Sequence, residues 1–333
     1  MADTLLLTGA SGVVGSEVAR RLPADALLLG RHRARPESDA RQIAIDIRDP
    51  HLGLPQSAYE TLANEVTGII HCAAITDMGG AAPGLEETNI AGVQHMVDLA
   101  RAADAPLHYV STAYCSETHG PKRPVTSAYV LSKRAAEAVV RESGLDWTII
   151  RPSIVAGHSE TGAIASFQGF HLFITSMLKG RLPIIPLERT ARCDFVPADL
   201  IARGIEAILL NPEYGRTYWL TAGINALTID EMIASGQPFA RQLGRDLNNL
   251  IIADPDTALR DLIPALEDKL PRRLRERLGV LMELSQVMAT ERAFPSDFAG
   301  LSADTELSPD LLRATLAANI RHWGEVNNRS FTS

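Results

Sequence analysis

The segment TLLLTGASGVVG, residues 4–15, carries the clearest indication of the fold. It opens with an apolar run typical of a buried strand and passes into a helical spacing of apolar residues over 13–22. Between the two, Gly9, Gly12 and Gly15 have the spacing that permits a tight turn, close approach of a pyrophosphate and close helix packing. A helix N-terminus at this junction adds free N–H groups and a positive dipole end. We therefore predict a dinucleotide phosphate site, formed by Thr8, Gly9, Ser11, Gly12, Val13, Val14 and Gly15.

Similar apolar runs recur along the first half of the chain, at 25–30, 41–47, 68–74, 107–112 and 147–155. Helical patterns at 85–103 and 127–143 separate some of these runs, and a last strand is predicted at 217–222. Strands of continuous Val, Ile and Leu character between helices predict a parallel sheet that is covered on both faces. Because crossover connections are right-handed, the predicted fold class is α/β, a doubly wound, Rossmann-type sheet.

The strand pattern loosens after residue 155. Glycines and prolines interrupt 156–190, where Phe167, Phe170 and Phe173 form a stripe that is either core or the wall of a substrate site. A helix is predicted over 193–210, and further helices over 258–270 and 272–289. We predict a dinucleotide-binding domain of residues 1–155 and 191–222, with a smaller, mainly helical substrate lobe of residues 156–190 and 223–333.

The composition is that of an ordinary globular protein. Of 333 residues, 46% are hydrophobic, which is too many for a disordered chain. The three cysteines form no CxxC pair and the nine histidines show no ligand spacing, so neither a disulfide scaffold nor a metal site is indicated. The net charge of −8 and the lack of a basic stripe argue against nucleic acid as a partner.

Nothing in the sequence indicates a membrane protein. No apolar run approaches the ~20 residues of a membrane-spanning helix. No basic segment precedes the apolar run near the N-terminus, as a secretory signal would require. We therefore expect no membrane span and a cytoplasmic location.

The region after the second predicted strand bears on which dinucleotide binds. An NAD site normally has a carboxylate there, about 20 residues beyond the glycine loop, to hold the ribose hydroxyls. This chain has no acid at that point; Arg31 stands in its place and Arg33 follows. Since an arginine pairs well with a phosphate, the sequence favours NADP(H), with a solvated basic loop as the alternative.

A catalytic pair is predicted on the helix at 127–143. Tyr129 and Lys133 lie four residues apart and therefore on one face. A phenol has a pKa near ~10, and a neighbouring ammonium lowers it, which suits a group that exchanges a proton with an alkoxide. Ser111 and Thr112 end the fifth predicted strand, at the sheet edge where ligands bind in doubly wound folds. Either hydroxyl would hold a substrate carbonyl oxygen beside the tyrosine.

Taken in order, these motifs resemble the extended short-chain dehydrogenases/reductases (SDRs). The matching segments are TGASGVVG (8–15), Asp46-Ile47, IIHCAA (69–74), ETNIAG (87–92), YVST (109–112), YVLSK (129–133) and IIRPSIV (149–155). The resemblance implies that Tyr129 is the acid/base, that Lys133 lowers its pKa and binds the nicotinamide ribose, and that Thr112, or else Ser111, positions the carbonyl.

The same resemblance assigns the remaining site residues. Asn89 would shape the site. Asp46 and Ile47 would flank the adenine. The residues beside the cofactor would be Ala73 and Ala74, and those bordering the nicotinamide would be Pro152, Ser153, Ile154 and Val155.

Three segments look like one branch of that superfamily, the fatty acyl-CoA reductases and carrier-protein thioester reductases. They are HYVSTAY (108–114), GHSETGAIASFQGF (157–170) and CDFVPADLIA (193–202). This resemblance implies NADPH-dependent reduction of an acyl thioester, bound to CoA or a carrier protein, to an aldehyde or alcohol. The alternatives are an alcohol or ketone dehydrogenase or epimerase acting on a free small molecule, and a non-catalytic dinucleotide sensor. An acyl carrier protein partner and a homodimer are left open.

Overall fold

The computed structural model describes residues 4–30, 40–76, 82–121, 125–180, 184–254, 257, 288–301, 306–328 and 331. The strands are β1 (Leu5–Thr8), β2 (Leu27–Gly30), β3 (Arg41–Ala44), β4 (Gly68–His71), β5 (Leu107–Val110), β6 (Trp147–Pro152), β7 (Ile154–Ala156), β8 (Ile184–Pro186), β9 (Arg192–Cys193), β10 (Phe195–Pro197), β11 (Arg216–Leu220), β12 (Leu227–Thr228) and β13 (Ile251–Ala253). The helices are α1 (Val13–Ala19), α2 (Gln56–Glu65), α3 (Gly92–Ala103), α4 (Ala128–Arg141), α5 (Gly169–Leu178), α6 (Ala198–Leu210), α7 (Ile229–Gln242), α8 (Phe298–Leu301) and α9 (Pro309–Val326).

Seven strands form one parallel sheet, in the order β11-β6-β5-β4-β1-β2-β3. The predicted doubly wound sheet is therefore confirmed. The chain order reverses between β1 and β4, where Leu7 lies opposite Ile70. In such sheets the carboxyl ends of the strands on either side of the reversal form the ligand crevice.

Apolar side chains of alternate residues build the two faces of this sheet. Leu6 belongs to a buried cluster with residues of α2, α3 and α4, whereas Leu7 belongs to a second cluster with residues of α5, α6, α7 and α9. Adjacent strand residues point to opposite faces, so a continuously apolar strand supplies both clusters. Because the second cluster runs without interruption from the sheet to α9, the division of the chain into two domains stays a prediction.

The predicted helix at 193–210 is wrong over its first five residues. Cys193 ends β9, and β10 pairs in parallel with β7, so the helix begins only at Ala198. The carboxylate of Asp194 accepts hydrogen bonds from the backbone N–H groups of Ala222 (2.8 Å) and Gly223 (2.9 Å). These contacts hold the segment extended until Pro197 caps the helix.

Five helices had no counterpart in the sequence analysis: α2, α5, α7, α8 and α9. Two short strands beyond residue 223, β12 and β13, were not expected either. The C-terminal helix α9 is anchored by Asn319, whose Oδ1 accepts a hydrogen bond from the backbone N–H of Gly157 (2.8 Å) and lies 2.9 Å from Nε2 of His171. The helices predicted at 258–270 and 272–289 fall almost wholly outside the described residues.

Membrane insertion finds no support in the helices that the structure describes. None of them combines the length and the apolar character needed to cross a bilayer.

Candidate active site

Two cavities lie along the carboxyl edge of the sheet and share the lining residues Gly12, Cys72 and Ala74. The larger, about 450 Å³, extends toward β2 and β3. The smaller, about 220 Å³, extends toward α4 and α5. Because they meet at the glycine loop, together they form one groove across the point where the strand order reverses.

The glycine loop shows why two of its glycines cannot carry a side chain. Gly9 has φ +75°, and a Cβ there would lie 2.6 Å from the backbone nitrogen of Ala73. A Cβ on Gly15 would lie 2.7 Å from the carbonyl carbon of Gly9. The turn, the start of α1 and the end of β4 are thus in backbone contact. Gly12 at the start of α1 has no side chain that could cap the helix, so the first N–H groups of the helix are available to a ligand.

Most of the predicted cofactor residues line the groove. The larger cavity holds Gly9, Ser11, Gly12, Asp46, Ile47, Ala73 and Ala74. The smaller holds Gly12, Val13, Val14, Gly15, Ala74, Pro152, Ser153, Ile154 and Val155. Arg31 and Arg33 lie outside the described residues.

Thr8 is the predicted cofactor residue that lines neither cavity. It is fully buried beneath the loop, where its hydroxyl lies 2.7 Å from Nδ1 of His71 and accepts a hydrogen bond from the backbone N–H of Ala73 (3.2 Å). Thr8 therefore joins the ends of β1 and β4 and supports the loop from below.

The far end of the larger cavity contains polar groups. Asp46 accepts hydrogen bonds from Arg48, from Nε at 3.0 Å and from Nη2 at 2.6 Å. Gln42, which the sequence analysis missed, lines the same cavity. Its Oε1 is buried and finds no hydrogen-bond donor among the described residues. This end of the groove therefore offers polar contacts to a bound nucleotide.

Helix α4 positions the predicted catalytic pair. Ser127 caps it by accepting a hydrogen bond from the backbone N–H of Val130 (3.4 Å), so the helix begins one residue before Tyr129. Tyr129 and Lys133 are both buried, and both line the smaller cavity together with Thr112. The structure thus brings together the three groups that the sequence placed on a helix and a strand end.

Lys133 is enclosed by the sheet. Its Nζ donates a hydrogen bond to the carbonyl oxygen of Val110 (2.7 Å) and lies 4.2 Å from the ring centre of Tyr109. Burial lowers the pKa of Lys133 to about 8, and interactions with Cys115, Glu137 and Cys72 oppose this change. The ammonium is thus held close to the pH at which it loses its proton.

The pKa of Tyr129 differs from the sequence-based expectation. Burial raises it above the usual value, and a hydrogen bond with Thr112 lowers it in part. The net rise is opposite to the lowering expected from Lys133, because desolvation of the phenol dominates and the ammonium donates its hydrogen bond to Val110. Tyr129 is therefore a neutral phenol near pH 7, which is the form that donates a proton.

Asn89 and Ser111 also occupy defined places. The side chain of Asn89 accepts a hydrogen bond from the backbone N–H of Ile75 (2.8 Å) and donates to Ser132 (3.0 Å), so it ties the segment after β4 to α4. It lines neither cavity. Ser111 lines the smaller cavity, but its hydroxyl donates to Oε1 of Glu137 at 2.6 Å.

The sequence analysis did not assign several residues that line the smaller cavity. Cys72 and Tyr114 stand inside quoted motifs and received no place in the site, whereas Met288 carries no motif at all. Phe170 belongs to the phenylalanine stripe that the sequence left open between core and substrate wall. The structure makes it both, since it is buried and lines the smaller cavity. Phe173 lies in the core, and Phe167 is 41% exposed.

Metal binding has no support in the described residues. No three His, Cys, Asp or Glu side chains there are grouped so that they could hold an ion.

The parallel sheet and the groove at the point where its strand order reverses define a class of protein, the dinucleotide-binding α/β proteins. Residues 29–205, more than half of the chain, match the NAD-binding family described as male sterility protein, and the chain belongs to that family. The resemblance stated from the motifs is thereby confirmed.

Relatives of known name include large synthetases. The chain is 27% identical over 306 residues to a component of the linear gramicidin synthase of Brevibacillus parabrevis, a match that covers 73% of this chain and 6% of the synthase component. The chain thus corresponds to a small fraction of that relative's length.

Among solved structures, the terminal R domain from the myxalamid PKS-NRPS biosynthetic pathway is similar, with a TM-score of 0.75 and 23% identity over 99% of this chain and 93% of that one. The reductase (R) domain of a nonribosomal peptide synthetase from Mycobacterium tuberculosis has a TM-score of 0.65 and 20% identity, covering 96% and 92% of the two chains. These likenesses establish a common fold.

Proposed function

We propose that this protein reduces the carbonyl group of an acyl thioester, with NADPH as the hydride donor, and releases an aldehyde that a second reduction would convert to an alcohol. One observation carries the proposal: Tyr129, Thr112 and Lys133 line the same cavity as the glycine loop. Membership of the male sterility protein family and likeness to the reductase domains support the choice of a thioester over other carbonyl compounds.

The groove fits a nicotinamide dinucleotide. Glycines at positions 9 and 15 leave a backbone cradle that a side chain would fill, and the start of α1 has free N–H groups for phosphates. The unpartnered Oε1 of Gln42 lies at the end that would take the adenosine. A cofactor bound in this orientation supplies a hydride to the carbonyl carbon at the cavity beside Tyr129.

The residues of this chain then handle the oxygen. Addition of hydride to a thioester carbonyl gives a hemithioacetal oxyanion, which needs hydrogen-bond donors and a proton. Tyr129, neutral because it is buried, donates its proton to this oxygen. Lys133 places a positive charge near the phenol and stabilises the phenolate that remains. As the carbon–sulfur bond breaks, the hydroxyl proton leaves the oxygen and the departing sulfur gains a proton, so that the aldehyde and the thiol are released.

Thr112 is the hydroxyl that assists Tyr129. It hydrogen-bonds to the phenol, and both residues line the smaller cavity. The hydroxyl of Ser111 is instead held by the buried carboxylate of Glu137, to which it donates its proton. Thr112 is therefore the hydroxyl that has the reacting phenol as its partner. We assign the role of positioning the carbonyl to Thr112.

The acyl group would lie against α5. Gln168, Gly169 and Phe170 come from segment 156–190, and Met288 comes from segment 223–333; all four line the smaller cavity. These contributions support the assignment of both segments to substrate binding, with residues 1–155 and 191–222 binding the cofactor. An apolar wall beside the reacting group favours an acyl chain over a highly polar substrate.

The preference for NADPH is proposed from Arg31 and Arg33. Arg31→Ala should weaken binding of NADPH while sparing that of NADH, because only NADPH carries the additional phosphate. Titration of both reduced dinucleotides against the purified variant tests this. Equal losses for the two would show that Arg31 does not read the phosphate.

The decisive experiment follows NADPH oxidation and thiol release with purified protein. Acyl-CoA and carrier-bound acyl thioesters are offered beside the matching free aldehydes and simple ketones. We expect thiol release in step with NADPH oxidation, and loss of both in Tyr129→Phe without loss of NADPH binding. Thr112→Val should cost more turnover than Ser111→Ala.

The matched control is Tyr214→Phe, which removes a phenol that is 45% exposed on the surface. It should leave turnover unchanged. Oxidation of NADPH with aldehydes or ketones alone would move the protein to the dehydrogenase class. Absence of turnover with every substrate would favour a dinucleotide sensor.

A further inference from the structure

Behind Tyr129 and Lys133, helix α4 carries a third buried polar residue on the same face. Glu137 follows Lys133 by four residues and is 2% exposed. Its carboxylate accepts four hydrogen bonds: from Ser111 (2.6 Å), twice from Arg151 (2.8 and 2.6 Å) and from Arg141 (2.8 Å). It thereby links α4 to the ends of β5 and β6, the strands whose following residues line the smaller cavity.

Glu137 is ionised in spite of its burial. Desolvation by itself would raise its pKa, but the hydrogen bonds and charge of Arg151, and the hydrogen bonds from Ser111 and Arg141, lower the pKa overall. A fully hydrogen-bonded, paired carboxylate is the form in which a buried acid remains charged.

Several other titratable groups face Lys133 from the neighbouring elements. They are His71 of β4, Cys72 after it, Tyr109 of β5, Cys115 in the turn after β5, and Tyr129 of α4. Burial keeps each of them neutral near pH 7: the pKa of His71 is lowered to about 3, that of Cys115 is raised to about 11, that of Cys72 is raised to about 12, and both tyrosines are raised further. Among the described groups around Lys133, Glu137 is thus the anion.

We propose that Glu137 is a positioning residue of the reaction. It holds the end of β5 against α4 through Ser111, and it supplies the negative charge that keeps the buried Lys133 protonated. This inference rests on the proposed function, because its consequence for turnover assumes that Lys133 supports Tyr129. A buried ion pair that only stabilised the fold would affect unfolding, but it would not set the charge of Lys133.

The test measures the titration of Lys133 directly. The chain contains four lysines, Lys122, Lys133, Lys179 and Lys269, so a protein labelled with ¹³C at the lysine ε carbons has four resolvable signals. The signal that is missing in Lys133→Met identifies Lys133. In Glu137→Gln we expect its titration midpoint to fall by about one pH unit, which is roughly a tenfold change in proton affinity. The alkaline limb of the kcat–pH profile should move by the same amount.

Two variants separate charge from packing. Glu142→Gln removes an exposed carboxylate at the end of the same helix and should leave the midpoint where it is. Arg151→Gln disturbs the same cluster but keeps the carboxylate, so it should lower stability without moving the midpoint downward. If Glu137→Gln does not fold, the double variant Glu137→Gln/Arg151→Met is compared with Arg151→Met, so that the two proteins differ only in the Glu137 carboxylate.

The outcomes distinguish this inference from the proposed function. A Lys133 midpoint that does not fall when the Glu137 carboxylate is removed, from the wild type or from Arg151→Met, would overturn the inference, even in an active reductase. A midpoint that falls in a protein without turnover would leave Glu137 as the counter-charge of Lys133 and would refute the proposed reaction. A parallel fall of the midpoint and of the alkaline limb supports both.

Discussion

The tightest contact in the glycine loop makes a sharp prediction about Gly15→Ala. The new Cβ would lie 2.7 Å from the carbonyl carbon of Gly9, nearer still to its oxygen, and 3.1 Å from the nitrogen of Ala10. Gly9 cannot retreat freely, because its own Cβ position is 2.6 Å from the backbone of Ala73. Helix α1 must therefore move away from the loop.

The size of the effect follows from these distances. Carbon atoms that are not bonded pack at about 3.5–4.0 Å, so loop and helix must separate by about 1 Å. Overpacking of this kind costs about 1–3 kcal/mol, and the better helix propensity of alanine returns up to about 1 kcal/mol. We expect the free energy of unfolding to fall by about 1–2 kcal/mol. NADPH should bind at least about tenfold more weakly, or roughly 1.4 kcal/mol, since the proposed binding mode places its phosphates on the displaced amides.

The assay is urea denaturation together with a fluorescence titration of NADPH. The matched control is Gly300→Ala in α8, where a new Cβ has no heavy atom within 4 Å. Gly15→Ala should have a clearly lower free energy of unfolding and a clearly weaker affinity for NADPH than this control. Equal NADPH affinity in the two variants would refute the argument that the loop holds the phosphates at backbone contact distance.

Two further outcomes follow from buried groups. Turnover should decline as the pH rises through about 8, because Lys133, whose pKa is lowered to that value, loses its proton at this pH. A kcat–pH profile that stays flat around pH 8 would contradict the role given to Lys133. Asn319→Ala should lower the free energy of unfolding by about 2–3 kcal/mol, since it leaves the backbone N–H of Gly157 and the ring of His171 without their partner; urea denaturation measures this, and a loss below about 0.5 kcal/mol would contradict it.

The parallel sheet could be predicted because its signal is local. Each strand is a run of Val, Ile and Leu that fills both faces of the sheet, as Leu6 and Leu7 do. The ends of strands were predicted less well: the strand expected at 41–47 stops at Ala44, and the one at 107–112 stops at Val110. A strand ends where its pairing with the neighbouring strand stops, and the residues of the strand alone do not specify that point.

Short elements were missed for a related reason. β10 has three residues, too few for any periodicity, and it is extended because β7 pairs with it and Asp194 is held by backbone N–H groups near residue 222. Helix α7 contains Pro238, which reads as a helix breaker in sequence. Packing against α5 and α9 and the capping box at Thr228 stabilise it nonetheless.

The fold class, the glycine loop and the face shared by Tyr129 and Lys133 could be read from the sequence, since each depends on residues within a few positions of one another. Which groups meet across long separations depends on how the chain folds. Ser111 donates to Glu137, and Met288 joins Phe170 at the cavity. The physical reason is that spacing along a chain defines the face on which a side chain lies, whereas its partner and its pKa depend on what the folded chain packs against that face.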